Sequence, residues 1–288
     1  MTGAALALVV FSAFVHASWN YLLKKSGGGV GLVAASSALS LVVYAPFVVA
    51  LAWIKGYTPA PLHLAMMLGS GMIHTVYFLL LDRAYRGGGD LSIVYPLARA
   101  TGPLLTITVA VLLLGEHPGP AALAGAVLIG VSALVLTGNP FASHRRDARG
   151  AVAFALATGC MIATYTVWDK WSVASFLVPP LLYDWGCNAF RSVVLVPFAQ
   201  RRAPGGMARA WREQRLTVVA IAVLSPLSYI LVLTAMVFTP VSLVAPAREV
   251  SILFAALMGA HLLREGDLVR RAVAAAGMVL GVVGLTLG

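Results

Sequence analysis

Charge is the scarcest property of this chain. Of its 288 residues only 10% are Asp, Glu, Lys or Arg, against 60% hydrophobic, whereas a soluble domain carries about 25% charged residues. So few charges cannot cover a water-facing surface, and the mean hydropathy of +0.91 agrees. A bilayer lifts the requirement, because lipid solvates the outer face. Cysteine is nearly lacking as well. Cys160 and Cys187 each lie inside an apolar run with no CxxC spacing, which argues against a disulfide framework or a thiolate metal site. The chain has no HExxH, no GxSxG and no GxxxxGK[S/T] loop, so zinc-dependent hydrolysis, serine hydrolysis and ATP-driven pumping lose their usual machinery. An enzyme is not expected, and neither is a cofactor or a metal.

What charge there is has one dominant sign, with a net of +10. A basic excess suits phosphate backbones, but here Lys and Arg occur as short clusters between apolar runs. That is the pattern of membrane loops, and no nucleic-acid partner is expected. The partners expected are the lipid bilayer and a small-molecule substrate, with a monomer as the functional unit.

A spanning helix needs about 20 mostly apolar residues. Runs of that kind fall at 3–23, 30–54, 62–81, 91–114, 119–138, 150–168, 176–199, 216–238, 240–263 and 271–287. The first is followed, not preceded, by its cations Lys24 and Lys25, the reverse of a signal peptide, so it is read as a retained helix. The expected fold is an all-α membrane protein of ten helices. The eighth and ninth runs are separated by little more than Thr239-Pro240, and proline at a helix start is well tolerated.

The chain also repeats itself. Ala17-Ser18-Trp19-Asn20 and Lys24 align with Ala163-Thr164-Tyr165-Thr166 and Lys170. Leu91-Ser92 to Pro96 aligns with Val241-Ser242 to Pro246, and Arg99 falls near Arg248. Leu114-Gly115-Glu116 falls over Leu263-Arg264-Glu265, and Ala-Gly-x-Val-Leu recurs in the closing helices, at Ala124 to Leu128 and Ala276 to Leu280. This divides the chain into a first unit, 1–138, a linker, 139–149, and a second unit, 150–288. Five helices per unit is an odd number, so the second copy is expected upside down relative to the first, with a central cavity where the two meet.

The stretch His16-Ala17-Ser18-Trp19-Asn20-Tyr21-Leu22-Leu23-Lys24 resembles the first-helix signature of the EamA group of the drug/metabolite transporter superfamily. The same is true of Gly89-Asp90-Leu91-Ser92-Ile93-Val94-Tyr95-Pro96-Leu97-Ala98-Arg99, and of Leu114-Gly115-Glu116 followed by the Gly125-Ala126 helix. The resemblance covers nearly the whole chain. It implies ten helices around one cavity, alternating access, and export or exchange of small metabolites across a bacterial inner membrane. Amino acids, aromatic ones among them, are the first substrate class it suggests; other organic anions, nucleotide sugars and drug-like compounds are the second.

Orientation is left open by two opposed readings. Loops after odd-numbered runs hold fifteen cations and loops after even-numbered runs hold only Lys55 and Lys170, so the positive-inside rule puts both termini outside. The family resemblance puts them in the cytoplasm.

Ionisable groups inside a span cost roughly 2.5–3.5 kcal/mol on insertion scales and therefore mark cavities or partners. Four are deep in apolar runs: Arg99, Arg191, Arg248 and Glu249. Asp184, Asn188 and Arg191 are spaced i, i+4, i+7, a stripe on one helix face. Tyr95 lies one turn before Arg99. His16 and Asn20 flank Trp19 in the first run, His74 and Tyr77 mark the third, Tyr165 and Trp168 the sixth, and Tyr229 the eighth. Guanidinium grips carboxylate in a fork, and aromatic faces hold apolar groups or cations. These thirteen side chains, from His16 to Arg248, are the candidate substrate contacts. Glu249 and Asp184 are candidates for coupling or for pairing helices. Arg99 and Arg248 serve equally well as ties between helices. Glu116 and Glu265 read as caps of the helix that follows each, and Trp53 and Trp211 as interfacial anchors.

Overall fold

The computed structural model describes the backbone of residues 1–86, 91–137, 148–263 and 268–288, and excludes the side chains of 78, 79, 81–86, 91–97, 99, 100, 137, 148–152, 155, 259–263, 268 and 271. Among the described residues every regular element is helical. The helices are α1 (Gly3–Lys25), α2 (Val30–Lys55), α3 (Pro61–Arg86), α4 (Leu91–Leu114), α5 (Pro120–Thr137), α6 (Ala148–Ala174), α7 (Pro180–Arg202), α8 (Gly206–Phe238), α9 (Val241–Arg248), α10 (Val250–Leu263) and α11 (Leu268–Leu287). A single residue, Glu249, separates α9 from α10, so the eleven segments trace ten rods. Among the described residues four stretches are both long and apolar enough to cross a membrane: Gly3–Lys25, Val30–Lys55, Gly206–Phe238 and Val241–Met258.

The ends follow local chemistry. Thr2 caps α1 by accepting the Ala5 amide at 3.3 Å, and proline opens α3, α5 and α7, where its missing N–H goes unneeded. Gly56 closes α2 in the left-handed conformation. Three helices outrun the apolar segments that announce them by five residues or more, and α3, the first of them, ends at Arg86. α6 continues through Asp169 and Lys170 to Ala174, so Lys170 belongs to a helix and not to a loop. α8 begins ten residues early, at Gly206, and bends where Gln214 leaves helical geometry (φ −138°, ψ 34°). Hydrophobicity marks what lipid or core surrounds; backbone hydrogen bonding carries a helix on past that point.

Large apolar side chains face outward along the rods, among them Val42, Phe47, Val49 and Ile54 on α2 and Leu112 and Leu113 on α4, as a lipid-solvated surface requires. Trp53, 86% exposed at the end of α2, suits an interfacial anchor. Inside, small residues let helices approach. α5 and α11 run antiparallel, with Gly284 against Ala121 and Gly125, Gly281 against Ile129, and Gly277 against Ser132. An ideal Cβ on Gly281 would lie 2.5 Å from Ile129 Cγ1 and 2.7 Å from the Gly125 carbonyl oxygen, closer than any side chain tolerates. This is the small-residue packing used where lipid offers no hydrophobic drive between helices. α2 and α7 are antiparallel too, joined by polar contacts from Ser37 to Ser192, Ser40 to Asn188 and the Leu41 carbonyl to Trp185.

Candidate functional site

The polar interior is concentrated where α3, α6, α7, α8 and α9 converge. At its centre is Asp169, fully buried on α6. Its two carboxylate oxygens are taken by two phenols. Tyr183 of α7 donates to Oδ1 at 2.7 Å, and Tyr229 of α8 donates to Oδ2 in a short hydrogen bond. Tyr229 is also covered by the Arg248 guanidinium, 5.2 Å above the ring centroid, and touched edge-on by His74 at 5.9 Å. His74 stacks on Tyr165 at 4.2 Å and 28°, and Tyr77 meets the same Tyr165 at 6.0 Å. The His74 Nδ1 lies 2.9 Å from the Ser70 carbonyl oxygen one turn back. Aromatic faces, a cation over one of them and a carboxylate beneath therefore form one continuous cluster.

A second network lies between α2 and α7. Asn188 accepts from the Ser37 hydroxyl at 2.6 Å and from an Arg191 guanidinium nitrogen at 2.8 Å, both on Oδ1. Its amide donates to Ser40 Oγ at 2.7 Å and to the Ser37 carbonyl at 3.1 Å. With donors and acceptors both matched, Asn188 acts as a tie between helices. Arg191 reaches back one turn along α7 to Asn188, and one fork nitrogen of Arg191 is spent on that bond. Asp184 is half-buried one turn before Asn188.

A third group surrounds a small polar cavity between α1, α8, α9 and α10. Ser12, Ala13, His16, Ser228, Arg248 and Ser251 line it, and it has room for about one water. Arg248 thus looks two ways, toward this cavity and across the Tyr229 ring. His16 holds Trp19 edge-on at 5.1 Å, while Asn20 turns back on the His16 carbonyl at 2.8 Å. Glu249 is buried at the break between α9 and α10.

Of the predicted contacts, His74, Tyr77, Tyr165, Tyr229 and Arg248 come together in the Asp169 cluster, and His16 joins through the cavity. Trp168 points elsewhere: its indole donates to the Met66 carbonyl at 2.9 Å and its ring packs on Gly69 of α3. Trp19 joins an apolar cluster with Leu32 and Ala210. Tyr95 and Arg99 lie outside the described side chains. Asp169 and Tyr183 escaped sequence reasoning. The apolar run stops at Trp168, which leaves Asp169 just outside the predicted span. A carboxylate directly before a cation, Asp169-Lys170, with a helix-period neighbour at Tyr165, was the signal available.

Glu116 corrects another expectation. It does not cap α5, which follows it; both its oxygens accept from the first amides of α9, Val241 and Ser242, each at 2.8 Å. Lys170 grips the other side of the same turn, donating to the Met236 carbonyl at 2.6 Å and to Thr239 at 3.0 Å. The α8–α9 corner is held by an anion on its amides and a cation on its carbonyls, each charge matched to the helix end it meets.

No protein family and no curated protein matches the chain. The fold does have company. A solved structure, described only as a crystal structure of a protein, superposes with a TM-score of 0.75 at 18% identity, covering 100% of this chain and 98% of that one. At that identity the likeness establishes a shared fold and says nothing of function.

Proposed function

We propose that the chain is a secondary carrier of the EamA type, moving small carboxylate-bearing metabolites, amino acids first among them, by alternating access. The observation that carries the reading is the two-sided placement of Arg248. A guanidinium deep among helices faces a polar cavity with His16 and three serines, and lies over an aromatic wall of Tyr229, His74 and Tyr165. The cavity as it stands holds about one water, so the reading requires the helices to part during transport, and cation and aromatic surfaces then match a carboxylate with an apolar side chain. Buried ionisable groups in a membrane protein are costly and mark such paths.

An inverted repeat is part of the proposal, and the helix pairing supports it. When Ala124–Leu128 is aligned with Ala276–Leu280, Ile129 and Gly281 occupy the same place, and these two residues touch. A helix that meets its own counterpart antiparallel, as α5 does with α11 and α2 with α7, is what a two-fold axis in the membrane plane produces. In this reading the chain works in a bacterial inner membrane, and the site lies where the two halves meet.

The test is counterflow into proteoliposomes. Substrate on the far side accelerates uptake by a carrier and leaves a pore unaffected. Amino acids, organic anions and nucleotide sugars are compared as cargo. Arg248→Gln is expected to lower uptake of the accepted carboxylate by tenfold or more, about 1.4 kcal/mol or above in binding, with membrane insertion intact. Uptake by the variant at the wild-type rate sinks Arg248 as the anchor; wild-type protein that accelerates no candidate sinks the carrier reading itself.

A further inference from the structure

The end of the molecule where α1 and α7 finish and α8 begins is strongly basic. Arg201 and Arg202 close α7 and are exposed. Gly205, at φ +70°, turns the chain sharply, and the first eight residues of α8, 206–213, then form a short helical foot before the break at Gln214. Arg209, Arg212 and Arg215 are exposed on and beside this foot, and Glu213 is the lone acidic residue between positions 201 and 215.

Three contacts fix the foot in place. Ala210 is buried in a cluster with Leu32 and Val218. The Gly206 backbone lies so close to α2 that a Cβ on Gly31 would stand 2.7 Å from its carbonyl carbon. Gln214 Nε2 donates to the Ser26 carbonyl at 3.3 Å. With Ala210 held inward, helical spacing turns Arg212 to the opposite side and Arg209 to the flank next to it. Beside them Trp211 is 49% exposed and Leu216 is 80% exposed.

A cation cluster that faced only water would not need an indole and a leucine standing out among its arginines. Trp at the headgroup level and Arg beside it are the composition of a membrane interface, and juxtamembrane cations attract anionic lipid. We propose that this foot is a binding platform for the phosphodiester headgroups of anionic phospholipids in the adjoining leaflet. Arg209, Arg212 and Arg215 take the phosphate oxygens, and Trp211 sits at the acyl boundary. The platform is independent of any cargo.

The experiment uses the purified full chain in nanodiscs of phosphatidylcholine, with and without phosphatidylglycerol. The wild type is expected to unfold about 5 °C higher when the anionic lipid is present, as selective binding to the folded state requires, and high salt is expected to erase much of the difference. Inorganic phosphate at the same concentration, added to phosphatidylcholine discs, should not reproduce the shift; if it does, the site is one for free phosphate and the lipid assignment is wrong. The triple variant Arg209→Gln, Arg212→Gln, Arg215→Gln should lose the lipid-dependent shift while unfolding near the wild-type temperature in phosphatidylcholine alone. Should that variant fail to fold, the triple Lys variant serves, and it is expected to keep most of the shift because the charge remains. Equal unfolding of wild type in both membranes overturns the proposal, as does a full shift in the Gln variant.

Discussion

At the scale of single residues, Asp169 is the most consequential side chain in the interior. It is fully buried and satisfied by two phenols from two other helices, so it links α6, α7 and α8 through one group. Removing it leaves both hydroxyls without their acceptor, and each orphaned buried donor costs about 1–3 kcal/mol. Asp169→Ala is therefore expected to lower the unfolding temperature in detergent clearly, and Asp169→Asn, which keeps two polar atoms in place, to lower it less. An Asp169→Ala protein as heat-resistant as wild type would show that the phenols find other partners. Trp168, next to it, teaches the opposite lesson: its ring and its N–H are both committed to α3, so Trp168→Phe should reduce stability, not selectivity.

At the scale of elements, the corner between α8 and α9 stands out because its grips come from distant parts of the chain. Glu116 precedes α5 and Lys170 sits late in α6, yet they hold opposite sides of Thr239-Pro240. Loss of a helix cap costs about 0.5–2 kcal/mol, so Glu116→Ala should lower thermal stability by that order. Because both groups steady one turn, Glu116→Ala and Lys170→Met should combine non-additively in a double-mutant cycle. Strict additivity in the measured unfolding free energies would mean that the two grips are independent. The end of α6 explains why Lys170 was misplaced in sequence reasoning. A charged pair looks like a loop until the carbonyls that receive the cation, at Met236 and Thr239, are brought to it by another helix.

At the scale of the whole molecule, the basic foot of α8, the end of α7 and the start of α2 share one face, through Gly31 against Gly206 and Ser26 against Gln214. The cations Arg201, Arg202, Arg209, Arg212 and Arg215 thus crowd one side, as the loop count anticipated. The positive-inside rule would put that side in the cytoplasm and both termini on the other, against the orientation that the EamA resemblance implies, and a fusion at the C-terminus decides between the two. A fluorescent-protein fusion at the C-terminus should accordingly stay dark while a phosphatase fusion is active; bright fluorescence would reverse the assignment and favour the orientation implied by the EamA resemblance.

The membrane class, the ten apolar rods and most of their boundaries were legible in the amino-acid order, because length and hydropathy bear directly on what a bilayer accepts. So was the candidacy of His74, Tyr165, Tyr229 and Arg248, since polar and aromatic groups inside apolar runs need a local reason. Which of these groups meet was not legible. Arg191 and Arg248 look alike along the chain, yet one bonds Asn188 on its own helix while the other faces a cavity and a phenol ring. Asp169 lay just past the predicted span and Glu116 read as a cap of the next helix, but helices sixty residues away in one case, and more than a hundred in the other, supply their partners. Hydrophobicity is a property of neighbours in sequence, whereas satisfaction of a buried charge depends on neighbours in space, and only tertiary packing chooses those.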